Sequence, residues 1–118
     1  LRVRVLADEP RSGEALSLAE ALEGCGVEAD VRLGDDIVVS DRVHPDAVVV
    51  DVGVPTGELA EYCRGLSLHP LVVAVAEPDD WEGRERARAA GYDLVVTRPL
   101  VAERLIERLC EKLPGMRA

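Results

Sequence analysis

The sequence predicts a single α/β domain built on an open, doubly wound parallel sheet, and three observations carry that expectation. Ala47 to Val50 and Leu71 to Ala76 are uninterrupted apolar, largely β-branched runs, too short for helices and apolar on both faces. Such runs fit central parallel strands covered by helices on either side. Strand-like runs alternate with helix-spaced stretches along the whole chain, the pattern of right-handed strand–helix–strand crossovers. Polar residues gather where strands end, with Asp8 and Glu9 after the first, Asp51 after the third and Arg98 after the fifth. In sheets of this kind, ligands collect outside the carboxyl ends of the strands.

Leu1 to Leu6 alternates Arg2 and Arg4 with Val3 and Val5, as a first strand, and emerges into Ala7-Asp8-Glu9-Pro10. Pro10 and Gly13 break it. Ala15, Leu16, Leu18, Ala19 and Leu22 then recur at helical spacing until Gly24 and Gly26 stop the helix. Val27 to Leu33 is a second strand, half exposed and near an edge, because Glu28, Asp30 and Arg32 alternate along it. Asp35 to Val43 is expected as a short or irregular helix, since parallel strands need a crossover although Ile37, Val38 and Val39 are poor helix formers. The strand at Ala47 to Val50 ends on Asp51, and Gly53 and Pro55 turn the chain away.

Glu58 to Leu66 forms a short helix with Leu59, Tyr62 and Leu66 on one stripe, and Leu71 to Ala76 is the fourth strand. Asp79 or Asp80 caps a helix running through Arg88 to Gly91, a natural left-handed terminus. Trp81, near the start of that helix, is read as a packing residue over the loop. Asp93 to Thr97 is the last strand. The final helix places Leu105, Ile106, Leu109 and Leu113 on one side before Pro114.

With 118 residues, 47% of them hydrophobic, the chain fits one domain over residues 1–118. It begins without Met, which suggests a module cut from a longer multidomain protein. Fourteen basic against 23 acidic residues give a net charge of -9, a field that repels phosphate backbones and argues against direct nucleic-acid binding. The sequence shows neither a membrane-length apolar run nor a signal-peptide pattern, so a cytoplasmic protein without membrane contact is expected. Cys25, Cys63 and Cys110 lie far apart without metal-ligand spacing, as core or surface thiols.

A lone Asp51 would be only the polar residue that closes a strand. Its significance comes from Asp8, which occupies the equivalent place one strand away. In the strand order 2-1-3-4-5 the two carboxylates meet at the point where the chain reverses its direction of winding. Carboxylates crowded at one rim repel each other unless a hard divalent cation such as Mg²⁺ lies between them. A cation-supported carboxylate can act as a nucleophile toward phosphorus, with a nearby cationic side chain balancing the transferred charge.

These residues resemble the receiver (CheY-like) domains of bacterial two-component response regulators, over nearly the whole chain. Asp8-Glu9-Pro10 looks like the end of that family's acidic motif, Asp51 with Pro55 is similar to its Asp-x-x-x-Pro, and Ala90-Gly91 through Pro99 resembles its Ala-Gly…Lys-Pro run. The resemblance implies a flavodoxin-like, three-layer α/β/α fold of five parallel strands in the order 2-1-3-4-5. It also implies a phosphoacceptor at Asp51, a basic partner at Arg98 in place of the family's Lys, and weak Mg²⁺ binding. The metal ligands would be Asp8, Asp51 and the backbone carbonyl of Gly53, with Glu9 as an additional candidate.

The departures from the family pattern are specific. Ala7 replaces the first of the paired acids, and Val75, or Ala76 with a one-residue shift, replaces the switch hydroxyl. Val95 replaces the aromatic of the fifth strand. Arg98 is planar and longer than Lys, so it cannot make the same point contact. The expected role is therefore that of an atypical receiver, a non-enzymatic signalling and protein-interaction module of a phosphorelay with degenerate switch residues.

Its partners would be a histidine kinase or an output domain. A homodimer is a further expectation, through the face of the fourth helix, fifth strand and fifth helix, which carries Arg84, Arg88, Glu103, Arg104, Glu107 and Arg108. An ordinary phosphorelay receiver is the alternative. A nucleotide- or flavin-binding domain is disfavoured, because Pro10 stands in the first strand-to-helix loop and no glycine-rich phosphate loop is present.

Overall fold

The computed structural model describes residues 1–33, 45–53, 55–65 and 70–113. Its elements, in chain order, are β1 (Arg2–Ala7), a 3₁₀ turn (Glu9–Arg11), α1 (Ser12–Gly24), β2 (Glu28–Leu33), β3 (Ala47–Asp51), α2 (Gly57–Arg64), β4 (Leu71–Ala76), α3 (Trp81–Ala89), β5 (Leu94–Thr97) and α4 (Ala102–Lys112). The strands form one five-stranded sheet in the order β2-β1-β3-β4-β5, parallel at every pairing. The architecture is the expected flavodoxin-like, CheY-like fold. The helix expected over 35–43 lies outside the described residues, as do Leu66 and Pro114.

The pleat divides the core. Val3, Val5, Val49 and Val73 point to one face and pack with Leu22 of α1 and Leu105 and Leu109 of α4. Leu6, Val48, Val50 and Val72 point to the other and pack with Ala60 and Cys63 of α2 and Ala87 of α3. Side chains of β3 are buried along its whole length, so each valine there stabilises the fold by about 1.5–3 kcal/mol relative to exposure. That two-sided burial holds the end of β3, and hence Asp51, in a fixed position.

Several expectations are adjusted by packing. The inward stripe of α2 is Ala60 and Cys63, while Leu59 and Tyr62 are only partly buried and pack at the margin of that core face. Trp81 projects into solvent, 64% exposed, and does not cover the loop as expected. The cap of α3 is Asp80, whose side chain accepts from the Gly83 N–H, and Gly91 has φ +100° as its position demands. Arg4 is 2% exposed within β1 and pairs at 2.9 Å with Asp30, directly opposite it on the edge strand β2.

Candidate functional site

Three loops converge at the carboxyl edge of the sheet. The register pairs Ala7 of β1 with Asp51 of β3, so Asp8 emerges one residue beyond and beside Asp51. Continuing the β3–β4 pairing past Val50 and Ala74 brings Val75 level with Asp51 on its other side. Asp51 therefore stands between two apolar neighbours, Ala7 and Val75, and is itself fully buried. The residue that carries an acid in the resembled motif, and the one that carries its hydroxyl, give Asp51 no polar contact here.

Polar support comes from arginine. Arg98, at the end of β5 and joined to Pro99 by a cis peptide, donates from Nη2 to Asp51 Oδ1. Its other nitrogens reach Glu14 Oε2 on α1 and, at 3.0 Å, Glu77 Oε1 after β4. Arg11 is the second cation. The 3₁₀ turn is closed by the Arg11 N–H donating to the Asp8 carbonyl at 3.0 Å, and it folds the Arg11 side chain back over the acids. Arg11 Nη1 donates to Asp8 Oδ2 at 2.7 Å, and Nε lies 3.8 Å from Asp51 Oδ1. The Gly53 N–H also donates to Asp8 Oδ2, at 3.0 Å.

The electrostatics follow from these contacts. Burial pushes the Asp51 carboxyl above the ordinary carboxylate range, and Arg98 and Arg11 only partly offset it. Burial also pushes Asp8 upward, but the Arg11 guanidinium and the Gly53 N–H outweigh it and hold that carboxyl below its usual value. Burial disfavours the charge on Arg98, yet Asp51, Glu14 and Glu77 together hold it more firmly protonated than a free arginine.

Two oxygens are left over. Asp8 Oδ1 and Asp51 Oδ2 are buried and have no hydrogen-bond partner within the protein, a costly condition for a carboxylate unless something else satisfies it. Two buried hard oxygens in want of a partner, on residues at neighbouring strand ends, fit a divalent cation that takes one or two carboxylates and completes its shell with carbonyl and water oxygens. No cluster of three or more His, Cys, Asp or Glu side chains suited to a metal occurs among the described residues. Any such cation would thus be held sparingly by side chains.

Of the residues expected from the sequence, Asp8, Asp51, Gly53 and Arg98 are brought together, while Glu9 is exposed in the 3₁₀ turn. Gly53 contributes its N–H to Asp8. Arg11, Glu14 and Glu77 were not anticipated. The available signal for Arg11 was its place three residues after Asp8 with Pro10 between, a spacing that a 3₁₀ turn stacks.

No protein-family model matches the chain. Among characterised proteins, response regulator MprA of Mycolicibacterium vanbaalenii is 33% identical over 115 residues, an alignment covering 92% of this chain and 48% of that protein. Transcriptional regulatory protein TrcR of Mycobacterium tuberculosis is 27% identical over 112 residues, covering 92% and 44%. The chain thus spans about half the length of the curated relatives it matches.

Among solved structures, a response regulator receiver protein from Burkholderia phymatum superposes with a TM-score of 0.72 at 26% identity, covering 100% of this chain and 98% of that one. The receiver domain of sensor histidine kinase PA1611 from Pseudomonas aeruginosa, with a magnesium ion coordinated in its active site cleft, shares the fold at a TM-score of 0.63 and 18% identity, covering 93% and 94%. The strand order, the acid at the end of β3 and these likenesses lead to one conclusion: the chain belongs to the receiver domains of two-component response regulators.

Proposed function

We propose that the domain is an atypical receiver, a cytoplasmic signalling and interaction module in which Asp51 remains the phosphoacceptor but its state is transmitted weakly. The observation that carries this reading is the setting of Asp51, with one oxygen held by Arg98, one oxygen free, and alanine and valine on either side. Asp51 Oδ2, buried and without a partner, is the nucleophile once the surrounding loops part to admit a donor. It forms a bond to the phosphorus of a phosphodonor such as a kinase phosphohistidine, while the phosphorus–nitrogen bond breaks and the proton needed by the leaving imidazole comes from solvent. Arg98 balances the developing charge. A divalent cation held by Asp8, Asp51 and the Gly53 carbonyl would add charge stabilisation, as the magnesium-bound PA1611 receiver suggests by likeness of fold.

Weak transmission follows from what surrounds the acceptor. A modification shifts a conformational equilibrium only through contacts that differ between the two states. Val75 has no hydroxyl to follow a phosphoryl group, and Val95 is too small for a rotation that would remodel β5. Intact mass after treatment with acetyl phosphate and Mg²⁺ tests the reading. A minor labelled fraction that disappears in Asp51→Asn is expected; near-complete, Mg²⁺-dependent labelling would restore the ordinary phosphorelay reading.

The partner face has its own chemistry. A groove of about 390 Å³ over β5 is flanked by Arg84 and Arg88 of α3 and Arg104 and Arg108 of α4, and none of its described lining residues is acidic. Arg88 and Arg108 have carboxylates nearby in Glu85 and Glu111, whereas Glu103 turns toward Cys25 just after α1. The residues lining the groove are of one sign, while acids pair with two of its arginines at the rim. On a chain of net charge -9, such a groove suits an acidic segment of an output domain or partner better than a second copy of itself. Light scattering across protein and salt series should give a monomer. A salt-sensitive dimer abolished by Arg104→Glu with Arg108→Glu would support the homodimer instead.

A further inference from the structure

The guanidinium of Arg11 lies beside both acids that would hold a divalent cation. Its Nη1 bonds Asp8 Oδ2 at 2.7 Å while its Nε stands 3.8 Å from Asp51 Oδ1, so one positive group lies within ion-pair range of both acids. It also sits against the third expected ligand residue: a Cβ placed on Gly53 would be 3.8 Å from both Arg11 Nη1 and Asp8 Oδ2. Yet Arg11 leaves one oxygen of each acid, Asp8 Oδ1 and Asp51 Oδ2, buried and unpartnered. The arginine therefore neutralises the pocket's charge without satisfying its full ligand capacity. Its backbone position is fixed by the 3₁₀ turn, whereas its side chain is about one-third exposed and can leave for solvent without disturbing either core face.

We propose that Arg11 is a tethered cation that competes with divalent metal for the acidic pocket, so that metal binding requires the Arg11–Asp8 pair to open. This deepens the reading of the site given above. A divalent ion and a guanidinium at this range repel strongly, and Asp8 Oδ2 cannot direct its charge fully to both. The pocket thus has two mutually exclusive occupants. One is supplied by the chain and is always present; the other enters only at concentrations high enough to displace it. Weak metal affinity is, on this account, a consequence of Arg11 as much as of the acid missing at Ala7.

The test measures metal alone, with no phosphodonor present, so its outcome is independent of whether Asp51 is ever phosphorylated. Free Mn²⁺ is counted by electron paramagnetic resonance during titration into wild type, Arg11→Ala, Arg11→Gln, Asp8→Asn and the double variant Arg11→Gln with Asp8→Asn. Mg²⁺ competition then reports its own affinity. Both Arg11 variants should bind about tenfold more tightly than wild type or better, and the gain should vanish when Asp8→Asn is added. Circular dichroism of Arg11→Gln, which keeps a polar but shorter and uncharged side chain, verifies the fold. Affinity unchanged or weakened in folded Arg11→Gln would overturn the proposal, as would a gain that survives Asp8→Asn.

Discussion

Aspartates flank the strands at both edges of the sheet, and the two edges treat them oppositely. Before β3 and β5, Asp46 Oδ2 accepts from the Arg2 N–H at 2.9 Å and Asp93 Oδ2 accepts from the Val72 N–H at 2.9 Å. After β1 and at the end of β3, Asp8 and Asp51 each keep a buried oxygen without a partner. The cause lies in the backbone. Parallel strands present unpaired N–H groups at their amino ends, which carboxylates can accept from, and carbonyl groups at their carboxyl ends, which cannot donate. An acid at the amino edge accepts from the strands themselves, with Arg64 3.5 Å from Asp93 as a supplement, whereas an acid at the carboxyl edge depends on a loop N–H, as Asp8 does on Gly53, and on cations. Here Arg98 and Arg11 serve, and incompletely.

Removing an acid should therefore have opposite consequences at the two edges. Asp93→Ala leaves the N–H of buried Val72 without its acceptor and should destabilise the fold by about 2 kcal/mol in urea unfolding. Asp46→Ala, at a more exposed position, should cost about 1 kcal/mol. Asp51→Asn should leave stability at neutral pH unchanged or raise it, since it removes a buried charge. A loss in Asp51→Asn as large as that in Asp93→Ala would break the contrast.

The dependence on pH sharpens it. Burial raises the folded-state value for Asp51 above that of an ordinary aspartate, so its contribution is greatest below the unfolded value and declines as pH rises through the folded one. Asp8 is lowered; its contribution is present above the unfolded value and is lost as pH falls through the folded one. Urea unfolding across this acidic window should lose the Asp51-linked decline in Asp51→Asn and the Asp8-linked rise in Asp8→Asn. An unchanged profile in both variants would show that the pocket's charges do not differ between folded and unfolded states.

Much of this arrangement was readable in the chain. Ala47 to Val50 and Leu71 to Ala76 identify themselves as central strands because two-sided burial leaves no alternation, and a strand's end fixes where Asp51 emerges. Arg4 was not readable as buried. On a strand of alternating charge and valine, only the register with Asp30 reveals that it is enclosed and paired. Arg11 was hidden for a similar reason, since its contact with Asp8 depends on a turn geometry that composition does not specify. The inward stripe of α2 was misjudged because Leu59 and Tyr62 carry the apolar bulk while the smaller Ala60 and Cys63 are the residues enclosed.

A smaller effect separates the buried interior from both edges. Burial raises the Cys63 thiol to about 12, while Cys25 is exposed. Iodoacetamide at pH 8 should modify Cys25 readily and Cys63 only on unfolding. Peptide mapping that found Cys63 labelled as fast as Cys25 would show that the α2 face opens in the native state.

The proposed weak link between Asp51 and the arginine groove is best judged by amide chemical shifts. Uniformly ¹⁵N-labelled protein would be titrated with beryllofluoride and Mg²⁺ until the Gly53 amide stops moving. The expected result is a response confined to Asp8, Arg11, Asp51 and Gly53 and their immediate neighbours, with Val95, Arg84 and Arg104 nearly still. Comparable shifts reaching Val95 and across α3 and α4 would contradict it, because they would show that Asp51 and the arginine groove move as one.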